Sequence, residues 1–164
     1  KLKGMNNFQC YNNNVCCLDK NNQVWVIGCF MKDLVGGQPE DCYYPQPHPY
    51  LKDVYKFTVF NGYIGSIYNN RELHFVELFS KSEGLPLDIE FIPELISGRN
   101  ESLYIVDTDS KVWIIEHADV FEMNSFSIQK LDLPSIVEIE SSYSCTLMKD
   151  INGTVWTHGQ NDVG

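Results

Sequence analysis

Four histidines, six cysteines and 22 acidic residues are the groups in this 164-residue chain that could do chemistry, and their spacing decides which kinds. His48, His74, His117 and His158 form no His-x-x-x-His pair, so each is expected to be a hydrogen-bonded core or channel-lining imidazole. Cys10, Cys16, Cys17, Cys29, Cys42 and Cys145 contain no Cys-x-x-Cys pair, which gives a metal site little support. Cys16 and Cys17 are consecutive on a strand and point to opposite faces. Reduced, buried thiols acting as small hydrophobes are the expectation; disulfides in an oxidising compartment are the alternative. Cys16 or Cys145 beside a histidine would make a nucleophile and base, but no local signature accompanies either. Asp19, Asp109 and Asp150 stand next to turns, where Asp bonds the backbone. Gly36-Gly37 is an isolated pair, with no phosphate-cradling glycine loop around it. No catalytic residue, metal ligand or cofactor is assigned, and the chain is not expected to be an enzyme.

The formal charge of −10 opposes nucleic acid and anionic membrane surfaces, both of which call for clustered Lys and Arg. No apolar run approaches the roughly 18 residues that span a bilayer, and the Asn-rich amino-terminal segment holds no signal-peptide core. The expected setting is soluble, in the cytoplasm or nucleus. Asn100-Glu101-Ser102 and Asn152-Gly153-Thr154 match the glycosylation acceptor pattern, but a hairpin turn accounts for the second.

The elements that must position these residues are repeats. A segment of apolar strand, polar turn and second strand occurs four times: VCCLDKNNQVWVIG (15 to 28), IGSIYNNRELHFVE (64 to 77), LYIVDTDSKVWIIE (103 to 116) and CTLMKDINGTVWTHG (145 to 159). Val24, Leu73, Val112 and Val155 come into register at intervals of about 40 to 50 residues, a period of solenoids and propellers. Asn21-Asn22, Asn69-Asn70 with Arg71, Asp109-Ser110 and Asn152-Gly153 read as two-residue primed turns. Strands such as Val24-Trp25-Val26-Ile27 are apolar on both faces, as in sheets stacked between sheets. Trp25, Trp113 and Trp156 align, which marks a repeated packing role. A further strand precedes each hairpin, at Asn7 to Cys10, Tyr55 to Phe60, Glu94 to Ile96 and Ile136 to Glu140. Asp88 to Ser97 offers at most one helical turn, interrupted by Pro93.

The fourth copy, IVEIESSYSCTLMKDINGTVWTHGQNDVG (136 to 164), resembles the repeat of the regulator of chromosome condensation family. Val155-Trp156-Thr157-His158-Gly159 and Asn161-Asp162-Val163-Gly164 match its Val-Tyr/Trp-x-Trp-Gly strand and its Asn-x-x-Gly element. Val24 to Gly28 match the same strand in the first copy, and Leu34 to Gln38 resemble a degraded Gly-Gln-Leu-Gly. The middle copies depart from the pattern, with Glu77 and Glu116 in place of Gly. The inner Trp is replaced in all four copies, by Ile27, Val76, Ile115 and His158. The resemblance implies an all-β, β-propeller-type fold whose ring has about seven four-stranded blades. Residues 1 to 164 would then be a partial propeller of about four blades from a longer chain. Bare blade faces at its ends would need covering.

The same resemblance implies a non-enzymatic protein-protein interaction scaffold. Guanine nucleotide exchange on a small GTPase is one alternative and a structural subunit of a large assembly another. The insertion Asp41 to Tyr50 is the candidate partner-binding loop, through Tyr43, Tyr44, His48 and Tyr50. Tyr supplies large contact area at low entropy cost on a backbone stiffened by Pro45, Pro47 and Pro49.

Overall fold

The computed structural model describes residues 4–11, 14–28, 44–78, 82, 84–117 and 126–159, and among these every regular element is a strand. Among the described residues, no helix is long and apolar enough to cross a membrane. The chain divides into two compact units, Lys1–Asp88 and Ile89–Gly164. The first unit holds β1 (Met5–Tyr11), β2 (Asn14–Asp19), β3 (Val24–Ile27) and β4 (Gln46–Pro47) in one antiparallel sheet. Its second sheet is β5 (Val54–Phe60), β6 (Tyr63–Tyr68), β7 (Leu73–Glu77) and β8 (Leu85–Pro86). The second unit holds β9 (Pro93–Arg99), β10 (Ser102–Asp107), β11 (Val112–His117) and β12 (Phe126–Lys130), followed by the three-stranded sheet of β13 (Ile136–Ser141), β14 (Cys145–Asp150) and β15 (Val155–Gly159).

All four sequence repeats are therefore sheets in which strands follow one another in chain order, the arrangement of propeller blades. The short fourth strands β4 and β8 escape periodicity arguments because each is two residues long and ends in Pro. Pro93 opens β9 instead of interrupting a helix, and a proline tolerates the first position of a strand, where it need not donate to the ladder.

The hairpin turns differ from the expected primed pairs. In each repeat the last residue of one strand accepts from a backbone N–H three residues on: Asn22 to Asp19, Arg71 to Tyr68, Ser110 to Asp107 and Gly153 to Asp150. That donor is itself left-handed, with φ of 63°, 70°, 61° and 86° in chain order. One left-handed residue after a type I turn makes a three-residue loop, so only that one position asks for Gly or Asn. A two-residue turn with positive φ at both positions does occur, at Asn61-Gly62 between β5 and β6.

Each unit has its own core between two sheets. Cys16, Leu18, Val24 and Val26 pack with Val54, Phe57, Val59, Ile64 and Val76 in the first. Tyr104, Val106, Val112 and Ile114 pack with Ile136, Ile139 and Met148 in the second. Burial on this scale, at roughly 25 cal/mol per Å² of apolar surface, is what holds sheets of such short strands together.

Candidate functional site

The aligned tryptophans and the turn aspartates turn out to be one device. Asp19 Oδ2 accepts from Trp25 Nε1 at 2.9 Å, Asp107 Oδ2 from Trp113 at 2.7 Å and Asp150 Oδ2 from Trp156 at 3.0 Å. The other oxygen of each carboxylate accepts two backbone N–H groups of the turn: Asn21 and Gln23, Asp109 and Lys111, Asn152 and Thr154. The residue expected to serve the third turn, Asp109, is a donor there, and Asp107 is the acceptor. Burial pushes the Asp19 carboxyl up, but the Trp25 N–H and the two backbone donors outweigh it and hold the group below its ordinary value. Asp150 is lowered chiefly by Trp156. The second repeat has Tyr68 and His74 at these positions, their rings 4.4 Å apart, with His74 Nε2 3.1 Å from Glu72.

In the candidate partner-binding loop, Tyr43 lies outside the described residues, as do Cys29, Cys42, Leu34 to Gln38 and Asn161 to Gly164. Tyr44 is 66% exposed and Tyr50 half-buried, whereas His48 is buried. His48 is the loop's anchor. Its Nδ1 accepts from the Tyr50 and Leu51 backbone N–H groups at 3.3 and 3.2 Å, its N–H reaches Val24 O at 2.7 Å, and Gln23 Nε2 bonds its carbonyl. The proton therefore sits on Nε2, which is buried and unpartnered. Burial lowers the His48 pKa from 6.5 to about 4. Of the predicted set, Tyr44 and Tyr50 are thus the described members whose side chains are exposed or part-exposed.

A polar cluster that sequence spacing did not single out lies at one end of the second unit. Tyr104 is fully buried, and its hydroxyl is 2.8 Å from His158 Nδ1. Arg99 lies over the Tyr104 ring at 5.5 Å and donates from Nη1 to Ser144 O at 3.1 Å. Burial raises the Tyr104 pKa against the pull of the Arg99 cation. Gly159 makes room for this cluster, because a Cβ there would collide with Arg99 Nη1 and come 2.5 Å from Ser144 O. The family strand supplies the one sequence clue, since His158 stands where that pattern has Trp. The cluster ties β9, β10 and β15 together with hydrogen bonds.

Cys16 is buried beside Cys17, and burial pushes its thiol up to about 12, which leaves it protonated and inert. Cys17 is also buried, Cys10 is exposed, and the described cysteines are free thiols. Among the described residues, no three His, Cys, Asp or Glu side chains gather as metal ligands.

No family model matches the chain, and no curated protein sequence matches it. Solved structures do. Yeast RCC1 (Prp20), crystallised bound to Kap60, matches with a TM-score of 0.69 at 11% identity, over 94% of this chain and 43% of that one. Human WBSCR16 matches with a TM-score of 0.70 at 8% identity, over 94% and 47%. The computationally designed Ika4 protein matches with a TM-score of 0.60 at 7% identity, over 96% and 91%. The chain therefore has the all-β, β-propeller-type fold expected of it, and it spans less than half the length of the two natural proteins it is similar to.

Proposed function

We propose that the chain is a non-enzymatic scaffold for protein-protein interaction, built on propeller-type sheets. The observation that carries this reading is the contrast between frame and connections. Three turns are fixed by the same Asp-Trp clasp, while the segments joining third to fourth strands differ freely: residues 28–45, 78–84 and 118–125. Binding residues concentrate on variable loops carried by a rigid scaffold. The first of these connections ends in the anchored loop that leaves Tyr44 exposed and Tyr50 half-buried.

The test is capture of protein from an extract of the source cells on immobilised chain, with Tyr44→Ala and Tyr50→Ala compared against the unaltered sequence. A partner whose retention drops several-fold at unchanged melting temperature supports the loop as the contact surface. Equal retention moves the surface elsewhere, and no retained protein overturns the scaffold reading. Catalytic amounts that speed nucleotide release from a small GTPase would replace it with the exchange-factor reading. Self-association of the chain alone would favour a subunit of a larger assembly.

A further inference from the structure

Two asparagines in the chain are followed by glycine, Asn61 and Asn152, and both sit exposed at hairpin tips. That pairing carries a chemistry of its own. The backbone nitrogen after an asparagine can attack the side-chain amide, and a following glycine has no side chain to obstruct the approach and the freest backbone with which to reach it. Asn22, Asn70 and Asn100 also stand at turns, but they are followed by Gln23, Arg71 and Glu101.

The two Asn-Gly tips are held differently. Around Asn152 the Gly153 N–H donates to Asp150 O at 3.0 Å, and the Asn152 and Thr154 N–H groups both donate to Asp150 Oδ1 at 2.9 Å. The attacking nitrogen is engaged there, inside a turn that the carboxylate of the Asp-Trp clasp ties down. Asn61-Gly62 is the two-residue turn between β5 and β6, with φ of 39° and 82°, and no carboxylate bridges it. Among the described residues the Gly62 N–H donates to nothing, and a Cβ at Gly62 would meet nothing within 4 Å. The tip is closed by the facing pair Phe60 and Tyr63 and by the Leu78 N–H, which donates to Gly62 O at 2.8 Å. Freeing it for reaction therefore breaks fewer bonds than freeing the Asn152 turn, and local opening is governed by that count.

We propose that Asn61 is a self-modification site, deamidated through Gly62 with water as the co-reactant. The Gly62 nitrogen forms a bond to Asn61 Cγ and gives up its proton. The side-chain nitrogen takes that proton and leaves as ammonia, so that the two residues share a five-membered imide. Water then opens the ring on either side. One product is an aspartyl residue with the main chain unchanged; the other is an isoaspartyl residue, in which the main chain runs through the former side chain and is one carbon longer. Both add a negative charge, but only the second changes the geometry of the tip. The longer main chain does not fit the facing register of Phe60 and Tyr63, which holds the aromatic cluster in which Tyr63 stacks on Phe75 at 4.8 Å and Phe60 lies 5.6 Å from Phe75. The inference goes beyond the scaffold reading and does not rest on it: the β5–β6 tip is where the second sheet changes with the age of the protein.

The test ages the whole chain in mildly alkaline buffer and follows the peptides holding Asn61 and Asn152 by mass spectrometry, with chromatography separating aspartyl from isoaspartyl products. One further net hydrogen bond to break slows opening by a factor of roughly five, so Asn61 should convert at least about fivefold faster than Asn152. In concentrated urea, where neither turn persists, the two rates should converge. Asn61→Asp carries the charge without the longer main chain and should move the amide resonances of Tyr63 and Phe75 much less than the isoaspartyl product isolated from the aged chain. No conversion at Asn61, conversion of Asn152 at an equal or higher rate in the folded chain, or a contrast that survives in urea overturns the proposal. An isoaspartyl product that leaves those resonances in place overturns its effect on the sheet.

Discussion

Asp107 holds a turn and a tryptophan with one carboxylate, and the sum of its bonds sets what losing it costs. Asp107→Asn keeps the shape but removes the charge and one acceptor oxygen. Bonds to charged groups contribute about 1.5–3 kcal/mol each and are not additive, so destabilisation of roughly 1–3 kcal/mol is expected in denaturant unfolding. Combined with Trp113→Phe the loss should fall short of the sum, because both changes break the same 2.7 Å bond. Strict additivity would mean that the carboxylate acts only on the backbone. Protonation tests the same scale from another side. His48 titrates at 6.5 unfolded and about 4 folded, so the unfolded chain takes up the proton first as pH falls. Its contribution is intact above 6.5 and lost between 6.5 and 4, by on the order of 3 kcal/mol. Asp19 and Asp150 are lowered from 3.8, so their contribution is present above that value and is lost only in stronger acid. Stability should therefore decline in two stages, and His48→Gln should remove the upper one. A single acid transition would show that the imidazole stays solvated.

At the scale of the element, the four turns share one backbone and carry four different residues at its left-handed position: Asn22, Arg71, Ser110 and Gly153. A left-handed residue with a Cβ costs about 1 kcal/mol relative to glycine, so Ser110→Gly should raise stability by up to that amount and Gly153→Ala should lower it similarly. Opposite shifts in melting temperature check this; shifts of the same sign would show that the turns differ in more than their side chain. The turn positions were legible in the sequence because Asn, Asp and Gly cluster there. The turn type was not, since Ser110 and Arg71 adopt the conformation without advertising it. Strand pairs were legible where Val, Ile and Trp alternate. The strands β4 and β8 were hidden because two residues carry no period, and their prolines are acceptable only given the register they adopt. The Arg99, Tyr104 and His158 cluster joins residues far apart in sequence, and nothing local marks it except the His158 departure from the family strand.

At the scale of the whole molecule, the two units differ in how much of their sheets is covered. In the first unit, the residues that open the third strands, Val24 and Leu73, are fully buried. In the second, Val112 is 1% exposed but its equivalent Val155 is 59% exposed, and Leu147, which pairs with Thr157 on the same sheet, is 47% exposed. Local opening needs little free energy where few apolar contacts are lost. Amide hydrogen exchange on the chain should accordingly find β5 to β7 the slowest and β13 to β15 the fastest of the hairpin strands. Uniform exchange across both units would mean that they open as one cooperative body, and the exposure of Val155 and Leu147 would then carry no energetic weight.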